Sequence, residues 1–270
     1  MIQTDLPAGT TVLSAAQQDK IKTEGFLTFG NCLTPQELTA ARLAYEPVME
    51  AFSPDDARYG GGDMERAAFL PAFGDCPDLL KLIANPTIIA IAEAALGTSD
   101  IEYIGSILRR TRFDADWVRE SGVGSWHADY WLLGDPAQVR DERVAIWIYL
   151  DDVTKAEGAT QLIPGSSEIF RRSQCENRDF SEALQESLAP GESVSNSFVE
   201  APAGGGMAFK SRVIHRAIAN TSGIPRRVMT MDYRVRGTTE VPDGEWQKLP
   251  VETKQILLQS LPESALYLVQ

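Results

Sequence analysis

The spacing of apolar and polar residues changes character near residue 100. Before that point apolar residues recur at helical intervals, interrupted by capping and stop signals. Residues 14–24 read as a short helix that Ser14 can cap and Gly25 ends. FLTF (26–29) is a short apolar strand, and LTPQELTAARLAYEPVMEAF (33–52) is a longer helix. Thr34 at the N-cap, Pro35 at N1 and Glu37 at N3 form a capping box, which satisfies otherwise orphaned backbone N–H groups. SPDDARYGGGDMER (53–66) is polar and glycine-rich, which predicts a loop. Residues 77–96 predict two helical pieces separated at Asn85-Pro86, with Gly97 stopping the second.

After residue 100 the runs are short and β-rich: IEYIGSILRRTRF, RVAIWIYLDDV, ATQLIPGS, GGMAFKSRVIHRAIAN and RRVMTMDYRVRG. Gly, Pro, Asp and Asn bound them. Strand follows strand without a regular alternation of helices, which argues for an antiparallel sandwich or barrel and against a doubly wound parallel sheet. Residues 171–199 form a polar insertion, part-helical at FSEALQESL, and 251–261 read as a final amphipathic helix. The expectation is one domain over 1–270, with a mainly helical part (1–99), a β core (100–240) and a C-terminal helix and tail (241–270).

Composition narrows the class. A net charge of −13 disfavours nucleic acid and anionic membrane as partners. The opening residues lack the basic and apolar regions of a signal peptide, and no run is long enough to span a bilayer. Cys32, Cys76 and Cys175 are odd in number and scattered, forming neither a disulfide framework nor a zinc motif. Together these features predict a cytoplasmic protein without a nucleic-acid or membrane partner, and leave its assembly, monomer or homodimer, open.

The chemistry concentrates at two places, because the chain has only 2 histidines. His127 stands in GSWHADYW, and Asp129 is at i+2, on the same face if the segment is extended. Taken alone, the pair reads better as a surface histidine near an acid than as a metal site. His215 lies late in a β-run and alone reads as a satisfied core histidine. Taken together, two neutral imidazoles and a carboxylate on a β scaffold make the facial triad of non-haem Fe(II), with coordination positions left open. The turn-like NTSGIP after His215, followed by Arg226-Arg227, predicts a hairpin that returns a guanidinium beside the histidine.

Several ordered motifs resemble the phytanoyl-CoA dioxygenase family of Fe(II)/2-oxoglutarate oxygenases. LSAAQQDKIKTEGFLTFGNCLTPQELTAAR resembles its helix–strand–helix opening, and WHADYW its W-H-x-D segment. AIWIYLDDVTKAEGATQLIPGSSEI resembles the stretch up to its P-G-S-H turn. HRAIANTSGIPRR matches its distal histidine, with an Asn five residues on and an Arg eleven on. The resemblance implies an α+β protein with a mainly β core, a double-stranded β-helix (jelly roll, cupin-like) with the N-terminal helices packed on one sheet. It implies iron ligands His127, Asp129 and His215, the cosubstrates 2-oxoglutarate and O2, and Arg226 clamping the distal carboxylate of 2-oxoglutarate. Trp147 matches an aromatic near the cosubstrate and reads equally as a core tryptophan. The implied reaction oxidises a C–H bond of a small-molecule substrate and releases succinate and CO2. Hydroxylation is the expected outcome; desaturation, epoxidation and ring formation use the same oxidant.

Strand alternation turns Arg227 to the sheet face opposite Arg226. Ser167 replaces the usual His of the PGSH turn, and Ala128 occupies a position where Gln is common. Asp129 disfavours halogenation, which needs a small residue there. Arg109, Arg110 and Arg112 read as a solvated strand face, with contact to an anionic substrate as the alternative. Loops 53–66 and 171–199 are expected to cover the cleft, with Tyr59, Arg171 and Arg172 their most reactive side chains. The competing function is a non-oxidative cupin-like metal protein: an isomerase, a hydrolase or a binder.

Overall fold

The computed structural model describes residues 2–10, 12–61, 65–74, 76–111, 126–129, 143–187, 196–238 and 244–270. Both predicted N-terminal helices start where expected: α1 (Ala15–Thr23) and α2 (Pro35–Glu50). Ser14 and Gln17 exchange capping hydrogen bonds, as do Thr34 and Glu37. A third helix, α3 (Pro86–Leu96), is capped by Asn85 and ends at Gly97, whose φ of 72° is left-handed and suits glycine.

Among the described residues, ten strands form two sheets. The larger contains β1 (Phe26–Phe29), β2 (Tyr59–Gly61), β3 (Glu65–Phe69), β4 (Ile101–Thr111), β5 (Arg143–Tyr149), β8 (Gly206–Lys210) and β10 (Arg226–Val235). Its strand order is β1-β8-β5-β10-β4-β3-β2, antiparallel throughout. The smaller contains β6 (Gln161–Leu162), β7 (Ser197–Phe198) and β9 (His215–Arg216), in the order β7-β6-β9.

The larger sheet is apolar on both faces because it sits between two layers. Val144, Ile146, Ile148, Ala208, Met229, Met231 and Tyr233 pack outward against Tyr45, Met49, Ile88 and Ile91 of the helices. Ala145, Tyr149, Met207, Phe209 and Val228 point inward, where Leu162 and Val213 meet them. The helices therefore cover one face, as expected, and the inner face is left for the site. Gly206 permits close packing within the sheet: a Cβ there would lie 1.7 Å from the Trp147 carbonyl oxygen.

Three expectations need correction. Residues 53–66 are not simply a loop: β2 and β3 form a hairpin there that extends the larger sheet. The free edge of β4 supplies backbone partners from Glu65↔Thr111 to Phe69↔Ile107, and pairing overrides the polar composition. Residues 62–64 lie outside the described residues. Tyr59 is neither reactive-looking nor exposed; it is buried edge-on against Phe52. The 171–199 insertion is part-helical as expected: it starts inside α4 (Ser166–Cys175) and contains α5 (Phe180–Glu186), while 188–195 lie outside the described residues. The predicted hairpin after His215 is also absent, since β9 and β10 belong to different sheets. The connection crosses the sandwich through a turn built by Asn220, which accepts from Ser222 N and donates to Ile224 O. The C-terminal helix (Val251–Ser260) forms as expected.

Among the described residues no single helix is long and apolar enough to cross a membrane. The bent pair Pro77–Ala84 and Pro86–Leu96 has the composition for it, but Leu79, Leu80, Ile83, Ile88 and Ile91 are core residues here.

Candidate metal centre and cosubstrate site

The two histidines meet through their backbones. His127 N donates to His215 O at 2.9 Å, and His215 N donates to His127 O at 2.7 Å. This isolated antiparallel bridge, at the edge of the smaller sheet, puts both rings on one side, with centroids 4.4 Å apart. Asp129 follows at i+2, and its Oδ2 lies 3.9 Å from His215 Nε2. One ligand atom from each of His127, Asp129 and His215 falls within 4.8 Å of the others, a set that could hold a metal ion.

The chemistry of this set suits iron(II). His215 is buried, and its Nδ1 lies 2.9 Å from the Val213 carbonyl oxygen. A proton on Nδ1 donates to that carbonyl and leaves the Nε2 lone pair free for a metal. Burial pushes the His215 pKa below its ordinary value, against the pull of Asp129, so the neutral, ligating form is favoured. The Phe209 ring packs on His215 at 4.9 Å and restricts its tilt.

Across the sandwich, β10 turns Arg226, Val228, Thr230 and Asp232 to the inner face, paired with Thr111, Arg109, Ile107 and Gly105 of β4. Arg226 is almost fully buried. One Nη group donates to the Gly158 carbonyl, the other lies 3.4 Å from Thr111 Oγ1, and Nε is buried without a partner. Among the described residues no carboxylate pairs with it. Tyr149, also inward-facing, buries its hydroxyl without a well-aligned hydrogen bond. Burial pushes the Tyr149 pKa up, while the Arg226 charge opposes the rise. A buried guanidinium with a free donor is costly alone and fits a carboxylate-bearing ligand.

Trp147 also faces inward, half-buried, with its ring edge-to-face on Phe209 at 5.7 Å. Phe209 thus links Trp147 to His215. Arg227 faces the other way, as alternation predicts. It binds Asp151 through Nε at 2.7 Å and Nη2 at 2.5 Å, and Glu46 through Nη1 at 2.7 Å. Arg109 and Arg110 do not form one solvated face: alternation sends them to opposite sides of the sheet, where they pair with Glu65 and Glu46. Arg171 is held by Glu168 on the surface of α4. Arg112, Tyr130 and Trp131 lie outside the described residues.

Sequence reasoning passed over Tyr149, Phe209 and the buried pair Arg143–Asp232, joined at 2.9 Å. Two were reachable. Counting by two from Trp147 gives Tyr149, and from Arg226 gives Asp232. Glu65 had no such signal, because its strand was not foreseen.

The family model for phytanoyl-CoA dioxygenase (PhyH) matches residues 21–228, most of the chain. The chain belongs to the phytanoyl-CoA dioxygenase family. It is an iron(II)- and 2-oxoglutarate-dependent oxygenase acting on a small molecule. An L-proline trans-4-hydroxylase of Streptomyces griseoviridis is 26% identical, the match covering 81% of this chain and 86% of that protein. Two solved structures share the fold. The 2-oxoglutarate-dependent carbocyclase SnoK of nogalamycin biosynthesis superposes with TM-score 0.68 and 23% identity, covering 88% of this chain and 91% of that one. EctD of S. alaskensis, with bound iron, gives TM-score 0.65 and 17% identity, covering 90% and 82%. They support a jelly-roll core.

Proposed function

We propose that His127, Asp129 and His215 hold the iron of this oxygenase, that Arg226 binds the distal carboxylate of 2-oxoglutarate, and that the product is a hydroxylated small molecule. The observation that carries the reading is the buried, partly unpartnered Arg226 on the sheet facing the two-histidine bridge. A hydrolase or isomerase using the same three ligands has no need of such a clamp.

Iron(II) held there supplies reductive activation of O2, coupled to decarboxylation of 2-oxoglutarate to succinate and CO2. The residues of this chain do the rest. Val213 O fixes the His215 tautomer, so the ligand needs no reorganisation on metal entry. Arg226 offers a planar fork to a carboxylate, which sets the cosubstrate's register as a point charge could not. Tyr149 adds a hydroxyl beside that fork. Trp147 and Phe209 wall the inner face with apolar surface and limit water around a reactive centre.

The S. griseoviridis relative hydroxylates L-proline by name, which favours hydroxylation over the other oxidations. The charge of −13 argues against nucleic-acid and anionic-membrane partners, and three scattered cysteines fit a cytoplasmic setting. A monomer or homodimer remains the expected assembly.

Anaerobic addition of iron(II) and then 2-oxoglutarate tests the reading. A weak visible charge-transfer band, and succinate formation once O2 is admitted, are expected. Metal binding without either signal would return the protein to the non-oxidative class.

A further inference from the structure

The described inner face carries charges beyond those assigned above. Arg143 has Asp232 at 2.9 Å, and Arg234 has Glu102 at 2.7 Å. Arg226 is matched by the distal carboxylate of 2-oxoglutarate. The charge of iron(II) is offset by Asp129 and the second carboxylate of the cosubstrate. One pair remains, Arg109 with Glu65.

That pair is built for more than stability. Arg109 faces inward opposite Val228, and Glu65 faces inward opposite Thr111. Arg109 Nη1 binds Glu65 Oε1 at 2.8 Å, while its Nε is buried without a partner. The Nε–Nη2 edge of the guanidinium is the one that grips a carboxylate side-on with two parallel bonds. The charge of Arg109 is felt at both His215 and Asp232, which places it toward the metal ligands. Side-chain exposures of 35% for Arg109 and 28% for Glu65 put the pair where the inner face meets solvent.

Resting on the oxygenase reading, we propose that the substrate is a small free amino acid, its carboxylate held by Arg109 and its ammonium by Glu65. A zwitterion adds no net charge to a site whose other charges already cancel. It also engages both members of the pair without stripping either of a counter-ion. A coenzyme A thioester, with several phosphate charges, finds no comparable cation group among the described inner-face residues. The hairpin of β2 and β3 thus gains a purpose: the first residue of β3, Glu65, orients Arg109 and reads the amine.

The probes are free L-amino acids, L-proline among them, with the methyl ester and N-acetyl form of whichever binds best. Each is titrated calorimetrically under argon onto enzyme carrying iron(II) and 2-oxoglutarate, and scored in air for succinate formed above the substrate-free rate. At least one free amino acid should bind and raise succinate. Its ester and its N-acetyl form should each bind at least tenfold more weakly. Arg109→Gln should lose that binding, Arg109→Lys should keep part of it, and Glu65→Gln should narrow the gap between free and N-acetyl forms. Thermal melting of each variant checks that it is folded. The proposal is overturned if no free amino acid binds, if the ester binds as well as the acid, or if Arg109→Gln loses affinity for 2-oxoglutarate instead. Wild-type enzyme that makes no succinate at all, with iron(II), 2-oxoglutarate and O2, would defeat the oxygenase reading, a different failure from these.

Discussion

Arg226 and Arg227 are neighbours on one strand and differ in everything but chemistry. Arg227 has a full set of partners: Asp151 takes two of its nitrogens, and Glu46 takes a third. Arg226 has a backbone carbonyl, a distant hydroxyl and an unpartnered Nε. Side-chain length and intrinsic pKa are the same, so the sheet face makes the difference. The outer face meets helices and turns of the same chain, which supply acids. The inner face meets the candidate metal centre across the sandwich, and among the described residues supplies none to Arg226. A buried cation left unpaired by its own protein is unfavourable unless something outside the chain completes it. Inner-face substitutions should therefore alter ligand binding and turnover, and outer-face substitutions should alter stability.

The largest expected effect is on the inner face. His127→Ala, Asp129→Ala and His215→Ala should each abolish succinate formation and weaken iron binding, while circular dichroism stays near wild type. An active His215→Ala would break the facial-triad assignment and the meaning given to the inner face.

Arg226→Ala comes next. Truncating one member of a buried charge pair costs about 2–5 kcal/mol. At about 1.4 kcal/mol per decade, that is on the order of 30- to 3000-fold in 2-oxoglutarate affinity. Iron affinity should hold, since Arg226 is no ligand, and Arg226→Lys should fall between. Equal 2-oxoglutarate binding in wild type and Arg226→Ala would remove the clamp.

Tyr149→Phe sharpens the same point. It deletes one hydroxyl beside the fork and leaves the ring in place. A hydrogen bond to a charged group contributes about 1.5–3 kcal/mol, so 2-oxoglutarate should bind roughly ten- to 150-fold more weakly. Unchanged affinity would show that the hydroxyl points away from the cosubstrate.

Much of this comparison was legible in the chain itself. Period-two alternation separates Arg226 from Arg227, and the shortage of histidines joins His127 to His215. The Ser14 cap and the Thr34 capping box are local signals, and both formed as read; the box that Ser14 completes with Gln17 was not foreseen. What stayed hidden depends on distant partners. The β2–β3 hairpin forms because β4 offers a free edge, which no local pattern in a glycine-rich segment announces. The crossing between β9 and β10 looked like a hairpin because strand signals specify extension and turn, not which sheet receives the strand. The pairing of Arg109 and Arg110 with Glu65 and Glu46 likewise joins residues far apart in sequence.

The smallest effect belongs to the outer face. Arg227→Ala removes three hydrogen bonds to acids, which on count alone resembles a severe lesion. Two features reduce it. The guanidinium is 22% exposed and Glu46 is 39% exposed, so water screens the network. Each stranded acid also keeps another cation: Arg42 lies 3.5 Å from Asp151, and Arg110 binds Glu46. The expected cost is about 1 kcal/mol of stability, read as a lower urea midpoint at unchanged slope. Affinity for 2-oxoglutarate should stay within about twofold of wild type, because the lost charge lies on the opposite side of the sheet. The variant therefore separates two accounts of the strand. If Arg227→Ala shows the large loss of 2-oxoglutarate binding and Arg226→Ala does not, the register of β10 is shifted by one residue. A shift of that kind would turn every inward side chain of the strand outward, Val228 and Asp232 included.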